Sequence, residues 1–464
     1  MASQKLVENG VVESSSSPHL LVNPAETLES TSAKISGIVL GRKHPPFWWV
    51  SFAIAFALLL GLLYGITILF AIGVGIWGIN IPVAWGFAIV NFVWWIGIGH
   101  AGTFISAILL LLLQKWRNSI NRLAEAMTLF AVACAGMFPL LHLGRPWTFF
   151  WILPYPNTMG LWPQFRSPLV WDLFAVGTYF TVSLIFWYTG LIPDLATMRD
   201  RARTRFSKIG FGIMSLGWRG SAVHWKHFQT VYLILAGLST PLVLSVHSVV
   251  STDFAVANIP GWHTTIFPPF FVAGAIYSGF AMVLNIMIPL RFVYGLESVI
   301  TERHLNCMAG VMLATGLMVG YGYIMETFTG WYSGDIYEQY LVINRAIGPY
   351  GWTYWLLLTV NIVIPQLLWI RRIRSKPMSL FIVALSINIG MWLERFVIVI
   401  VSLHRDFLPS SWGIYALTGW DWLILFGSVG LFGSLVFLFV RFLPMIPMSE
   451  IKEIIAEREE EKAA

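Results

Sequence analysis

The chain has 464 residues, of which 57% are hydrophobic and only 11% charged, and its aromatics include 23 Trp. A soluble protein carries about 25% charged residues, so this composition excludes a water-soluble globular fold and indicates an all-α polytopic membrane protein. The net charge of +6 is not a nucleic-acid footprint, and no nucleic-acid partner is expected, because the basic residues cluster in short loops between apolar runs, as membrane topology requires.

In chain order, residues 1–45 are polar and Ser-rich ("VVESSSSPHLL") and are expected to form a flexible tail. They lack the basic start and apolar stretch of a cleavable signal peptide. Ten apolar segments follow, at about 47–78, 82–113, 123–143, 168–193, 224–250, 266–290, 304–327, 350–370, 378–403 and 419–443. Each is near the roughly 20 residues a helix needs to cross a bilayer. Residues 447–464, ending "SEIKEIIAEREEEKAA", are expected to be a charged helical tail in water.

Loop charges set the orientation. With a cytoplasmic amino terminus, the inward loops ("QKWRNSINR", the "RDRARTRFSK" connection, Arg291 to Arg303, and "RRIRSK") hold sixteen Lys and Arg. The outward loops hold four: Arg145, Arg166, Arg345 and Arg405. The positive-inside rule therefore places both termini in the cytoplasm of a cell whose inner membrane the chain crosses many times.

This topology gathers ionisable residues toward the outer face. His142 ends the third segment in "LLHLGRPWTFFW", and Asp172 lies near the start of the fourth in "RSPLVWDLF". The fifth ends in "SVHSVVSTDFA", which brings His247 and Asp253 to the same side. Glu326 closes the seventh, and Glu394 with Arg395 occupy the outer part of the ninth, in "GMWLERFVIV". His100 lies near the middle of the second segment with no evident partner at its depth.

An ionisable group costs a few kcal/mol at a helix centre and is by default functional. Near an interface a single His or Arg can snorkel to water, so each alone also has a structural reading. The convergence of His142, Arg145, Asp172, His247 and Asp253 is what points to a ligand. A His beside a carboxylate suits quinol oxidation, since a neutral imidazole can take a hydroxyl proton near neutral pH and an Asp can orient the imidazole. Trp147, Phe149, Phe150 and Trp151 would accept a ring and isoprenoid tail, but alone they read as an interfacial belt.

Two other functions fit the same residues. A haem-binding anchor would use His142 and His247 at one depth. A secondary transporter would bind an ionic substrate, but near mid-membrane rather than to one side. His100 is either a core histidine or part of a proton path with Glu326, Glu394 and Arg395. Glu394 and Arg395 point about 100° apart on a helix and need not pair. With two cysteines, Cys134 and Cys307, the chain alone is not expected to hold a CxxC metal site or an iron–sulfur cluster.

The run "HLGRPW" after an outward helix, followed by "RSPLVWD" opening the next, resembles the NrfD/polysulfide-reductase membrane subunits. The resemblance is to the larger type found in alternative complex III, a quinol:electron-acceptor oxidoreductase, and it covers nearly the whole chain. It implies two four-helix bundles with the first and tenth spans outside. Residues 46–265 would carry the first span and a bundle with the quinol site, and residues 266–446 the second bundle and tenth span. It further implies that His142 and Asp172 are the catalytic positions, with Asp253 at the same quinol pocket, and that the chain holds no haem or other redox cofactor of its own. Arg145 and His247, gathered on the same side, are expected to bind the quinol with them. Quinol, expected to be menaquinol, would be the substrate. The implied partners are an iron–sulfur subunit on the outer face, a sister NrfD-like membrane subunit, cytochrome c subunits and lipid.

Overall fold

The computed structural model describes residues 21–41, 44–152 and 168–463. The Ser-rich start, Arg166 and the first residues of "RSPLVWD" lie outside the described residues, as does the Trp151 side chain.

Hydrocarbon offers no hydrogen-bond partner, so a chain that is apolar for 20 residues at a time must satisfy its backbone internally, and an α-helix does so. Among the described residues every regular element is helical. A short helix α1 (Leu28–Leu40) precedes the first two spans, α2 (Pro46–Ile72) and α3 (Gly86–Leu111). Then come α4 (Asn121–His142), α5 (Pro168–Arg201), the short α6 (Arg205–Met214) and α7 (Ala222–Ala255). The second half holds α8 (Phe267–Val293), α9 (Glu302–Tyr332), the short α10 (Ile336–Ile347), and the span Gly351–Trp369 that begins as α11 (Gly351–Leu358). After the single turn α12 (Arg371–Arg374), the ninth span Pro377–Val401 begins as α13 (Pro377–Phe396), and α14 (Gly419–Phe442) and α15 (Met448–Ala463) close the chain. The ten helices long and apolar enough to cross a membrane match the ten expected segments.

The spans pack as two rings of four. Helices α3, α4, α5 and α7 form one; α8, α9, the α11 span and α13 form the other. The rings join where α3 and α7 pack on α8, and α3 on α13. Helices α2 and α14 pair with each other outside both rings. Small residues set the ring-to-ring distance: a methyl on Gly279 of α8 would overlap the Cβ of Ala101 on α3. Close backbone approach of this kind is the main route to tight packing in lipid, where burying apolar surface gains little.

Both described ends of the chain meet at one end of the rings, where the Arg458 guanidinium donates to the carbonyls of Asn23 (3.1 Å) and Glu26 (2.9 Å). Two expectations are corrected here. A flexible tail to residue 45 does not hold for Leu28–Leu40, which is helical, opens on a capping box between Thr27 and Ser30, and buries Ile35 and Val39. The Ser-rich composition stops well short of this stretch, whose apolar residues recur at helical spacing. Likewise α15 is helical but is not a free tail in water. Met448, Ile451 and Ile455 form a buried stripe, and Glu450 pairs with Arg117 at 3.0 Å.

Gly279→Ala should lower the unfolding midpoint of the protein in detergent, by an overpacking cost of about 1–3 kcal/mol. Adding Ala101→Gly should recover much of that loss. An unchanged midpoint for the single variant would show that this contact does not set the spacing of the rings.

Candidate functional site

At the end of the first ring away from the termini, α4, α5 and α7 each carry an acid–base group near a helix terminus. Pro139 interrupts the hydrogen-bond ladder of α4 one turn before the helix ends at His142. Gly144, at φ +66°, turns the chain out, and a short 3₁₀ helix begins at Pro146. His142 is half-buried, and its Nδ1 is buried with no hydrogen-bond partner among the described residues. Asp172, in the second turn of α5, is buried. Its carboxyl neighbours that of Asp253, near the end of α7. One oxygen of each, Oδ1, is buried without a partner among the described residues. Buried polar atoms are nearly always satisfied, so this end of the ring offers open valences to a polar ligand or water. Arg145 is exposed, and its carbonyl accepts from the Thr148 amide (2.9 Å) and hydroxyl (2.7 Å).

His247 departs from expectation. Rather than standing only as one of the outer group, it is the mid-depth partner for His100 that the sequence did not reveal: the two Nδ1 atoms lie 2.7 Å apart, both rings fully buried. One Nδ1 must donate and the other accept, so when both rings are neutral they adopt opposite tautomers. Both Nε2 atoms are buried without partners among the described residues. The apolar run alone hides this pair: α7 continues to Ala255, so His247 stands about two turns in from the end of its helix.

The second ring holds its own polar core. Arg395 and Glu394, adjacent on α13, do pair with each other, Nη1 to Oε1 at 2.6 Å. Glu394 also accepts from the Tyr323 hydroxyl, which in turn accepts from Asn361 Nδ2 at 2.9 Å. The Arg395 guanidinium lies over the Phe271 ring at 4.0 Å, and the His247 ring is 5.9 Å from the same Phe271. One aromatic side chain therefore separates the polar cores of the two rings. Two π-turns, Thr359–Val363 and Val397–Val401, flank this core. Each has a carbonyl bound by a side chain: Tyr277 donates to Asn361 O (3.2 Å), and the Trp262 indole donates to Ile398 O (2.6 Å). Such turns inside helices are frequent at functional sites. One turn beyond Tyr323, Glu326 pairs with Arg345 at 2.8 Å and lines an open cavity of about 520 Å³ with Glu338 and His263.

A further polar column in the first ring is not evident from sequence. Toward the termini end, Glu125 accepts from Ser106 (2.5 Å) and Tyr232 (2.9 Å). Arg122 bridges to Asp194 at 3.2 Å and donates to Gly190 O at 2.6 Å. Between this group and the histidines stand Thr128, Thr103 and Ser183, with Tyr179 set edge-on to His100 at 4.7 Å. Arg117 and Arg122, which the sequence places among the loop cations, are both buried. A signal was present: Glu125 falls three residues after Arg122 inside an apolar run, the spacing of a helical ion pair.

The family model for polysulphide reductase, NrfD, matches residues 75–405. The chain belongs to this family. The match takes in all eight spans of the two rings and leaves out α2 and α14, the pair that also stands apart in the fold. Among curated relatives, a putative dimethyl sulfoxide reductase membrane subunit of Halobacterium salinarum is 28% identical over 235 residues, 48% of this chain and 50% of that protein. The chain thus spans about half the length of that relative. A selenate reductase subunit of Mesobacillus selenatarsenatis is 22% identical over 389 residues, covering 79% of this chain and 86% of the relative. The Hdr-like menaquinol oxidoreductase integral membrane subunit of Archaeoglobus fulgidus is 21% identical over 406 residues, covering 82% and 90%. All three relatives are subunits of redox complexes, and this chain is a multi-pass membrane protein of the same family.

Removing one member of a buried ion pair strands the other charge, at a cost of about 3–5 kcal/mol. Glu394→Ala should therefore destabilise the protein strongly in denaturant titration, and Glu394→Ala combined with Arg395→Met should recover part of the loss. Equal stability of the single variant and the parent would contradict the pairing.

Proposed function

We propose that this chain is a quinol-oxidising membrane subunit of a respiratory electron-transfer complex, of the ActC type found in alternative complex III. The observation that carries the reading is the group of buried, unpartnered atoms on His142, Asp172 and Asp253 at one end of the first ring. Membership of the NrfD family supports it, as does a relative described as a menaquinol oxidoreductase subunit. The sixteen-to-four distribution of loop cations supports placing that end on the outer face and both termini in the cytoplasm of a bacterial inner membrane.

Quinol gives up two protons with its two electrons, so its site needs two proton acceptors near the ring hydroxyls. The unpartnered His142 Nδ1 takes the first from one hydroxyl. The Asp172–Asp253 pair, with one oxygen open on each carboxyl, orients the ring and relays the second toward the outer water. Arg145, exposed at the same end, meets the ring, a lipid headgroup or the docked partner. The electrons leave one at a time to an iron–sulfur subunit on the outer face, since this chain supplies no cysteine cluster. The quinol in this reading is menaquinol, which the name of the Archaeoglobus fulgidus relative supports. A sister NrfD-like subunit and cytochrome c subunits complete the assembly.

A second reading, proton translocation, is favoured by the line of buried polar groups through both rings. His100 and His247 exchange a proton across their 2.7 Å bond. Beyond Phe271 the Glu394 carboxylate, held by Arg395, is the acceptor, and Glu326 releases the proton into the cavity it lines.

Loss of a positioned base costs about 10²–10⁴ in rate. In the purified complex, His142→Ala and Asp172→Asn should each reduce quinol oxidation by a factor in that range with the complex intact. Unaltered kinetics in both variants would place the quinol site elsewhere.

A further inference from the structure

The connection between α5 and α7 carries a feature that quinol oxidation does not use. Helix α5 has 34 residues, a length of about 50 Å at 1.5 Å per residue, against a hydrocarbon core of about 30 Å. Its last turns therefore rise above the core at the termini end, and α6 lies against them. Tyr188 of α5 donates to Met214 O at 2.6 Å, and Arg199 donates to Trp218 O at 3.0 Å. This fixes α6 at the membrane surface.

One face of α6 is apolar and uncovered. Phe206, Ile209 and Ile213 recur at i, i+3 and i+7, continued by Leu216, and Phe206 is 88% exposed and Ile213 71%. Around this face the segment is strongly basic. Residues 199–226 hold seven Lys and Arg against one acid, Asp200. Arg199 binds Asp200 at 2.8 Å and Arg201 binds Glu29 at 2.6 Å. Arg203, Arg205, Lys208, Arg219 and Lys226 are all exposed and have no acidic partner among the described residues.

Beside this face lies a notch of about 290 Å³ between α5, α7 and the turn that follows α6. Its wall is apolar, with Ile192, Leu216, Phe228 and Val231, and His224 and His227 stand with them. His224 Nδ1 accepts the Arg219 backbone N–H at 3.3 Å, so its proton sits on Nε2 and is free to donate. Trp218 and Trp225, ring centroids 5.0 Å apart, form the kind of aromatic cluster that settles at headgroup depth.

We infer that α6 is an interfacial amphipathic helix and that the notch beside it binds an anionic phospholipid, its acyl chain on the apolar wall and its phosphate at His224, Arg219 and Lys226. Charge complementarity selects this occupant. Exposed apolar residues in a row call for acyl chains, and five unpaired cations around them call for negative headgroups rather than zwitterionic ones. The site would hold the α5–α7 connection at a fixed depth and so keep the buried Arg122–Asp194 contact in register below it.

The test uses the whole complex in nanodiscs that contain photoactivatable phosphatidylglycerol or photoactivatable phosphatidylcholine. Labelling is mapped onto peptides from residues 203–231. The expected result is preferential labelling by phosphatidylglycerol. Arg219→Gln with Lys226→Gln should cut that preference by about fivefold per charge removed, the fold-change equivalent to about 1 kcal/mol per cation at an anionic surface. Arg219→Lys with Lys226→Arg should keep it, which separates charge from misfolding. Equal labelling by the two lipids, an unchanged preference in the Gln variant, or protection of these peptides by another subunit would each overturn the inference.

Discussion

In the core of a bilayer a charge has no water to turn to, so every ionisable side chain there must be paired by the protein or left open for something that arrives. The structure divides its buried groups along that line. Arg122 with Asp194, Arg395 with Glu394, Arg345 with Glu326 and Arg117 with Glu450 are paired at 2.6 to 3.2 Å. Three of these contacts tie separate segments together, and the Arg395–Glu394 pair joins neighbours on α13. His142, Asp172 and Asp253 keep buried atoms without partners among the described residues, as do both Nε2 atoms of the His100–His247 pair. These five residues sit at the mouth and the middle of the first ring.

The architecture explains why the open groups lie where they do. Four helices in a ring can project side chains inward at several depths, and the junction of two rings brings α7, α8 and α13 together. His247, Phe271 and Arg395 come from these three helices and stand in succession across the junction. The close contact of Gly279 with Ala101 makes that succession tight. The π-turns at Thr359–Val363 and Val397–Val401 interrupt two helices of the second ring, and Tyr277 of α8 and Trp262 of the α7–α8 connection donate to carbonyls within them.

Much of the fold was legible because the spans announce themselves. Ten apolar runs gave ten helices, and the pairing of chain ends at one side follows from an even number of crossings. The polar ends were less legible. Leu28–Leu40 and Met448–Ala463 were read by their charge and serines, yet both are amphipathic and dock on the rings through a few apolar residues such as Ile35 and Ile451. For the site, His142, Asp172 and Asp253 could be placed at one end by counting along helices, since all three lie near helix termini. His247 could not, because its helix outlasts its apolar run and nothing in a linear pattern says which histidines face each other. Glu125, Arg122 and Asp194 were passed over because a charge near the edge of a span reads equally well as part of a loop.

The central claim is that a quinone headgroup occupies the end of the first ring bounded by α4, α5 and α7. Photolabelling the intact complex with an azido-quinone and sequencing the labelled peptides tests it directly. The account predicts label near His142 at the end of α4 and near Asp172 at the start of α5, displaced by excess quinol. Label confined to α8, α9 or α13, or to a different subunit, would contradict it.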